Sequence, residues 1–131
     1  MNRPVQLGLF FERENAQPDW IARIPEHWDL WKIGHFAKVG NGSTPNRDRA
    51  EYWRDGSVPW LNSSVVNQDE VTEADQFVTD VAVRECHLPL VPSGSVLVGI
   101  TGQGKTRGQA AVLSFPSTIN QNQVVFFSVP R

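Results

Sequence analysis

The sequence predicts an α+β domain, a twisted mixed or antiparallel sheet with short helices, and three observations carry that expectation. Short β-branched and aromatic runs (VPWL, SVLVGI, QAAVLSF, QVVFFSV) recur along the chain and are bounded by Gly or Pro. Between them lie only brief helix-compatible stretches, at Asp48 to Trp53 and from Asp80 to about Glu85. The 131 residues give room for one core, with 40% apolar residues, seven Phe, five Trp and one Tyr to fill it. At this length roughly two-thirds of the unfolded surface can be buried, so disorder is not expected.

Residues 1 to 23 mix Phe10, Phe11 and Trp20 with balanced charges and show no sustained period, so they read as an N-terminal arm. The domain proper is expected over residues 24 to 131. It opens at IPEHW, where Pro25 favours an extended lead-in, and continues through LWKIGHFAKVG as two short strands flanking a turn of helix. NGSTPN (Asn41 to Asn46) is a loop by turn chemistry: Gly42 can take positive φ, and Pro45 biases Thr44 toward extended backbone. Asp48 to Trp53 is a short helix, and Gly56 and Pro59 frame the strand VPWL. The acidic stretch from Asn67 to Asp80 reads as loop leading into a helix that Asp80 caps. LPLVPSG then turns into a buried strand at Ser95 to Ile100, and QAAVLSF and QVVFFSV supply the last strands. Trp28, Trp31 and Trp60 fall in strand-like segments and are expected in the core.

A single Cys, Cys86, excludes an internal disulfide framework and a multi-thiolate zinc site, and it suits the cytoplasm. The N-terminal MNRPVQLGLFFERE has no apolar run of signal length, and SVLVGI is far too short to span a membrane. Net charge is −2, but the charges are unevenly placed. All 14 acidic residues lie at or before Glu85, whereas Lys105, Arg107 and Arg131 occupy an acid-free C-terminal third. That third is locally positive.

GITGQGKT (Gly99 to Thr106) satisfies the phosphate-loop pattern and follows a strand. The motif needs a helix directly after Thr106, because helix-start amides cradle the phosphates. RGQAAVLSFP follows instead, and Gly108 and Pro116 leave too little room for that helix. The other functional reading of TGQGKTRGQ is a glycine-rich hairpin loop for DNA. Lys105 and Arg107 would neutralise phosphates or bond to guanine edges, Gln103 and Gln109 would pair with adenine, and glycines would let the backbone approach. A solvated polar turn is the plain structural account of the same residues. Asn120 to Gln123 is an amide cluster that serves either as strand-entry turn chemistry, as a hydrogen-bonding partner of that loop, or as a base reader. His27, His35 and His87 are scattered, Cys86 lacks the further ligands zinc requires, and no nucleophile-elbow pattern is present. No cofactor is expected.

Read in order, IPEHWDLWKIGHFAKVGNGSTPN, AEYW, VPWL, LVPSGSVLVGITGQGKTRGQAAVL and INQN resemble the target recognition domain of type I restriction-modification specificity subunits. The resemblance covers about residues 24 to 127 and includes the GSTP loop, the Tyr52 and Trp53 pair, the GQGKTRGQ loop and the terminal NQ. It implies a non-catalytic subunit that gives a methylation and restriction complex its specificity for double-stranded DNA. Two such domains would each read half of a split target, with long helices setting their spacing and docking the methylation (M) subunits, alongside the restriction (R) subunits. Carried onto this chain, it places Ser43, Thr44 and Pro45 of the GSTP loop, and Gln103, Lys105, Thr106, Arg107 and Gln109 of the second loop, near DNA. It also implies a recognition unit that is incomplete at its C-terminus, the mark of a truncated gene product or a fragment. Apolar strand edges around Phe126 and Phe127 would then lie uncovered, which predicts self-association.

The alternative function, a small nucleotide-binding protein built on Gly99 to Thr106, differs from the DNA reading in the element after Thr106. A strand there predicts no saturable heat in calorimetry with ATP and magnesium or with S-adenosylmethionine. Micromolar binding of either would overturn this expectation.

Overall fold

The computed structural model describes residues 24–101, 106–121 and the backbone of 124–128. The chain divides into two units, with the boundary between His35 and Phe36. In the first, IPEHW forms a turn rather than an extended lead-in, closed by the Trp28 N–H donating to the Pro25 carbonyl at 3.0 Å. A 3-10 turn follows at Ile33–His35. Trp28 and Trp31 are exposed, contrary to the expectation of core positions, because no strand forms around them to bury a face.

Among the described residues, the second unit contains eight short strands. These are β1 (Lys38–Gly40), β2 (Val58–Leu61), β3 (Glu70–Val71), β4 (Gln76–Val78), β5 (Val96–Gly99), β6 (Ala110–Leu113), β7 (Thr118–Ile119) and β8 (Val124–Ser128). One strand, β1, stands where LWKIGHFAKVG suggested two. Five strands pair in the order β1-β8-β5-β6-β3 and three in the order β4-β2-β7. Both sheets are mixed, since β3 runs parallel to β6 and β2 parallel to β7 while the other pairs are antiparallel. The strand QVVFFSV is not an edge: β8 pairs with β1 on one side and β5 on the other. The uncovered edge expected at Phe126 and Phe127 is therefore absent, because β1 returns from the start of the unit to cover it.

β5 and β6 alternate strictly. Leu97, Ala111 and Leu113 are buried, while Val96 and Val112, opposite each other in register, remain 36% and 45% exposed. The strand at Ser95 to Ile100 thus buries one face, not both. Its inward residues join Leu61, Val66, Val71, Val91 and Ile119 in the larger core. Full burial of each Leu, Ile or Val there contributes about 1.5–3 kcal/mol. β3 and β7, two residues each, are too short for any period to show in sequence; β7 is held by its register with Trp60 and Leu61.

A second core (Tyr52, Trp60, Val78, Ala82, Leu88) lies under helices α1 (Ala50–Trp53) and α2 (Asp80–Glu85). The α2 cap is Thr79, not Asp80: Thr79 has extended backbone and its Oγ1 accepts from the Ala82 N–H at 3.2 Å. Asp80 is the first helical residue, where its charge complements the helix start. The Thr79 hydroxyl also donates to the Glu51 carbonyl at 2.6 Å, and the Thr79 N–H donates to the Tyr52 carbonyl at 2.9 Å, which ties α2 to α1. Thr79→Ala should therefore cost about 1 kcal/mol or more in urea unfolding, and Asp80→Ala distinctly less. The reverse order would return the cap to Asp80.

Candidate nucleic-acid interface

Strand register decides where the sequence-predicted loops go. Gly40, the last residue of β1, pairs with Phe126; Gly99, the last of β5, pairs with Val124; Ala110, the first of β6, pairs with Val98. The loop after β1, the β5–β6 connection and the Asn120–Gln121 step before β8 consequently leave the same end of the five-stranded sheet. One end of one sheet carries all three.

The β5–β6 connection is a hairpin. The Gly99 N–H donates to the Gln109 carbonyl at 2.9 Å, and the Gly108 N–H returns to the Gly99 carbonyl at 2.8 Å. Gly108 has φ +80, a conformation that favours glycine. Gly99 serves another need: a Cβ there would sit 2.3 Å from the Thr106 carbonyl oxygen. Thr106 is half-buried, and Arg107 and Gln109 are exposed. Gln103 and Lys105 lie outside the described residues. Residues 106–108 form a turn and Ala110–Leu113 a strand, so the helix that phosphate binding needs does not follow Thr106.

The GSTP loop is sewn to the segment between β7 and β8. The Gly42 and Ser43 N–H groups donate to the Asn120 and Ile119 carbonyls at 3.0 and 3.1 Å. Thr44 Oγ1 donates to Gln121 Oε1 at 2.6 Å, and Asn41 Nδ2 to the Gln121 carbonyl at 2.6 Å. Trp60 Nε1 donates to the Ser43 carbonyl at 2.9 Å, and Pro45 is buried. Gly42 was expected for positive φ, but its requirement is closeness, since a Cβ would lie 1.8 Å from the Ile119 carbonyl oxygen. Of the amide cluster, Gln121 bonds to the GSTP loop, while Asn122 and Gln123 lie outside the described residues.

Two arginines beside this loop carry roles that sequence reading missed. The Arg47 guanidinium carbon lies over Trp53 at 3.9 Å from the ring centre and 5.0 Å from that of Trp60, a cation–π arrangement. Trp53 meets Trp60 edge-on, with centroids 5.4 Å apart, and donates its Nε1–H to the Asn46 carbonyl at 3.1 Å. Arg49 instead bonds to Glu51 and, at 2.9 Å, to the Tyr52 hydroxyl, which donates to Glu85 at 3.0 Å. The Arg49 hydrogen bond holds the Glu51 carboxyl below its usual range, and Glu51 raises Arg49 in return. Burial pushes the Tyr52 phenol up, and the bond to Glu85 adds to the shift.

The model of the type I restriction modification DNA specificity domain matches residues 25–130, most of the chain. The chain belongs to that family. Over 114 residues it is 33% identical to the type I restriction enzyme MjaIX specificity subunit of Methanocaldococcus jannaschii, covering 85% of this chain and 25% of that protein. Over 120 residues it is 27% identical to the EcoR124I/EcoR124II specificity subunit of Escherichia coli, covering 90% and 30%. The chain thus spans less than a third of the curated relatives it matches. Its fold is similar to the crystal structure of the HsdS subunit from Thermoanaerobacter tengcongensis, with TM-score 0.56, 14% identity, and coverage of 96% of this chain and 30% of that one. A second likeness, from work on complex assembly and conformational transition of the type I restriction-modification system, has TM-score 0.55 at 15% identity.

In this specificity domain, the Gly42 contact can be tested directly. Gly42→Ala should destabilise by about 3 kcal/mol, the upper part of the overpacking range. Gly34→Ala, with nothing within 4 Å of its Cβ, should stay within about 0.5 kcal/mol of the parent. Urea unfolding of both variants decides, and a Gly42→Ala domain as stable as the parent would contradict the contact.

Proposed function

We propose that this chain is a DNA-recognition module of a type I restriction-modification complex, non-catalytic itself, reading part of a target for methylation and restriction subunits in the cytoplasm. The observation that carries the reading is the convergence of the GSTP loop, the β5–β6 hairpin and the Asn120–Gln121 step at one sheet end. Family membership supports it.

The chemistry fits. Thr44, Arg107 and Gln109 are exposed at that end, and Ser43, Gln103, Lys105 and Thr106 complete the proposed contact set. Arg and Lys serve phosphates or guanine, and Gln pairs with adenine. A base reader must hold these groups in fixed register, and the backbone bonds from Gly42 and Ser43 to Asn120 and Ile119 hold one loop in that way. The segment after Glu85 contains no acid and gives the hairpin loop two cations of its own, Lys105 and Arg107, despite the net charge of −2. No cofactor of its own enters this role.

If Lys105 and Arg107 contact phosphates, each Ala variant should weaken duplex binding across all sequences and flatten the log-log salt dependence by about one unit. The measurement is a salt titration of duplex binding for the parent, Lys105→Ala and Arg107→Ala, made with the methylation subunit present. Unchanged affinity, slope and sequence preference in both variants would move the contact surface off this hairpin.

A further inference from the structure

Building on the DNA reading, we propose that Arg47 is a specificity-determining residue that reads a guanine edge. Its position is fixed by neighbours on the GSTP loop side. Trp60, which it approaches at 5.0 Å, is bonded to the Ser43 carbonyl, and Trp53, which it covers at 3.9 Å, is bonded to the carbonyl of Asn46 immediately before it. The guanidinium is therefore held three residues on from Thr44, over two indoles that bond to the loop on both sides of Pro45.

A cation–π contact uses the charge of a guanidinium and consumes none of its N–H donors. Among the described residues Arg47 contacts rings and no carboxylate, whereas its neighbour Arg49 is bonded to Glu51. Arg47 is also exposed, so its rim faces solvent rather than a core acceptor. An arginine held over two rings has already given up rotamer freedom, and that lowers the entropic cost of one bidentate contact.

Charge decides between phosphate and base as the acceptor. From Asn46 to Gly56 the chain carries Arg47, Arg49 and Arg54 against Asp48, Glu51 and Asp55, a neutral stretch. Such a stretch adds no net charge of its own to draw in a polyanionic backbone. What remains is short-range, in-plane donation to a pair of acceptors, which guanine O6 and N7 provide in the major groove. Sequence reading passed over Arg47 because its stacking on Trp53, six residues away, runs through a turn and not along a helix face.

The test is selection by this chain from a pool of duplexes with a randomised central segment, sequencing of those retained, and salt-dependent anisotropy on the selected duplex. Arg47→Ala should bind that duplex about 5- to 150-fold more weakly and lose a guanine preference at one position. Pool-average binding and the salt slope should hold. Arg47→Lys, which keeps the charge without the planar fork, should lose the same preference. A slope flattened by about one with preference intact would make Arg47 a phosphate contact and overturn the assignment. So would a lowered melting temperature with unaltered preference, which marks a packing role. An Arg47→Ala variant that enriches the same sequences as the parent removes this residue alone, while a parent that enriches none removes the DNA reading and this assignment together.

Discussion

Everything at the candidate interface rests on one backbone contact, the seating of Gly42 against the Ile119 carbonyl. Ile119 ends β7 in the three-stranded sheet, and a few residues later the chain enters β8, which lies between β1 and β5 in the five-stranded sheet. The GSTP loop lies across that passage and bonds to it through Gly42, Ser43, Thr44 and Asn41. Any side chain at position 42 would push the loop off by occupying the space 1.8 Å from the carbonyl oxygen. The loss would reach the Ser43 carbonyl that Trp60 uses, and through Trp60 the seat of Arg47.

Arg47 and Arg49 show how neighbouring residues of one type are put to different ends. Arg49 is committed to Glu51, Tyr52 and the nearby Glu85, so its charge is largely spent inside the protein. The pairing is at the surface and contributes little to stability; its effect is to fix α1 beside α2 through Tyr52 and Glu85. Arg47 meets indole faces instead, and a π face positions a guanidinium without consuming its donors. Electrostatic pairing orders the helices, and aromatic stacking orders the contact residue.

The α+β class, the helices near Asp48 and Asp80 and the strands at VPWL, SVLVGI, QAAVLSF and QVVFFSV were legible because each depends on local punctuation and β-branched content. β3, β4 and β7 were not legible. They form where a partner strand supplies hydrogen bonds, as Glu70 and Val71 do beside Val112 and Leu113, and two or three residues carry no period of their own. The cap at Thr79 was displaced by one residue onto Asp80, since both side chains are good caps and only backbone geometry separates them. Of the site, the loops carrying Thr44, Arg107 and Gln109 could be named from sequence, but their meeting at one sheet end follows from β8 lying between β1 and β5, which no local pattern encodes.

GITGQGKT shows why a motif is decided by what surrounds it. A phosphate loop needs free backbone N–H groups converging on an anion at a helix start. Here the Gly99 N–H is given to Gln109, the Gly108 N–H to Gly99 and the Gln109 N–H to Thr106, so these amides are consumed in closing a hairpin. Gly99 and Gly108 are glycines for the hairpin's own reasons, one to admit the Thr106 carbonyl and one to take φ +80. With these three backbone donors turned inward, the exposed side chains described there, Arg107 and Gln109, are of the kinds that address nucleic-acid acceptors and base edges.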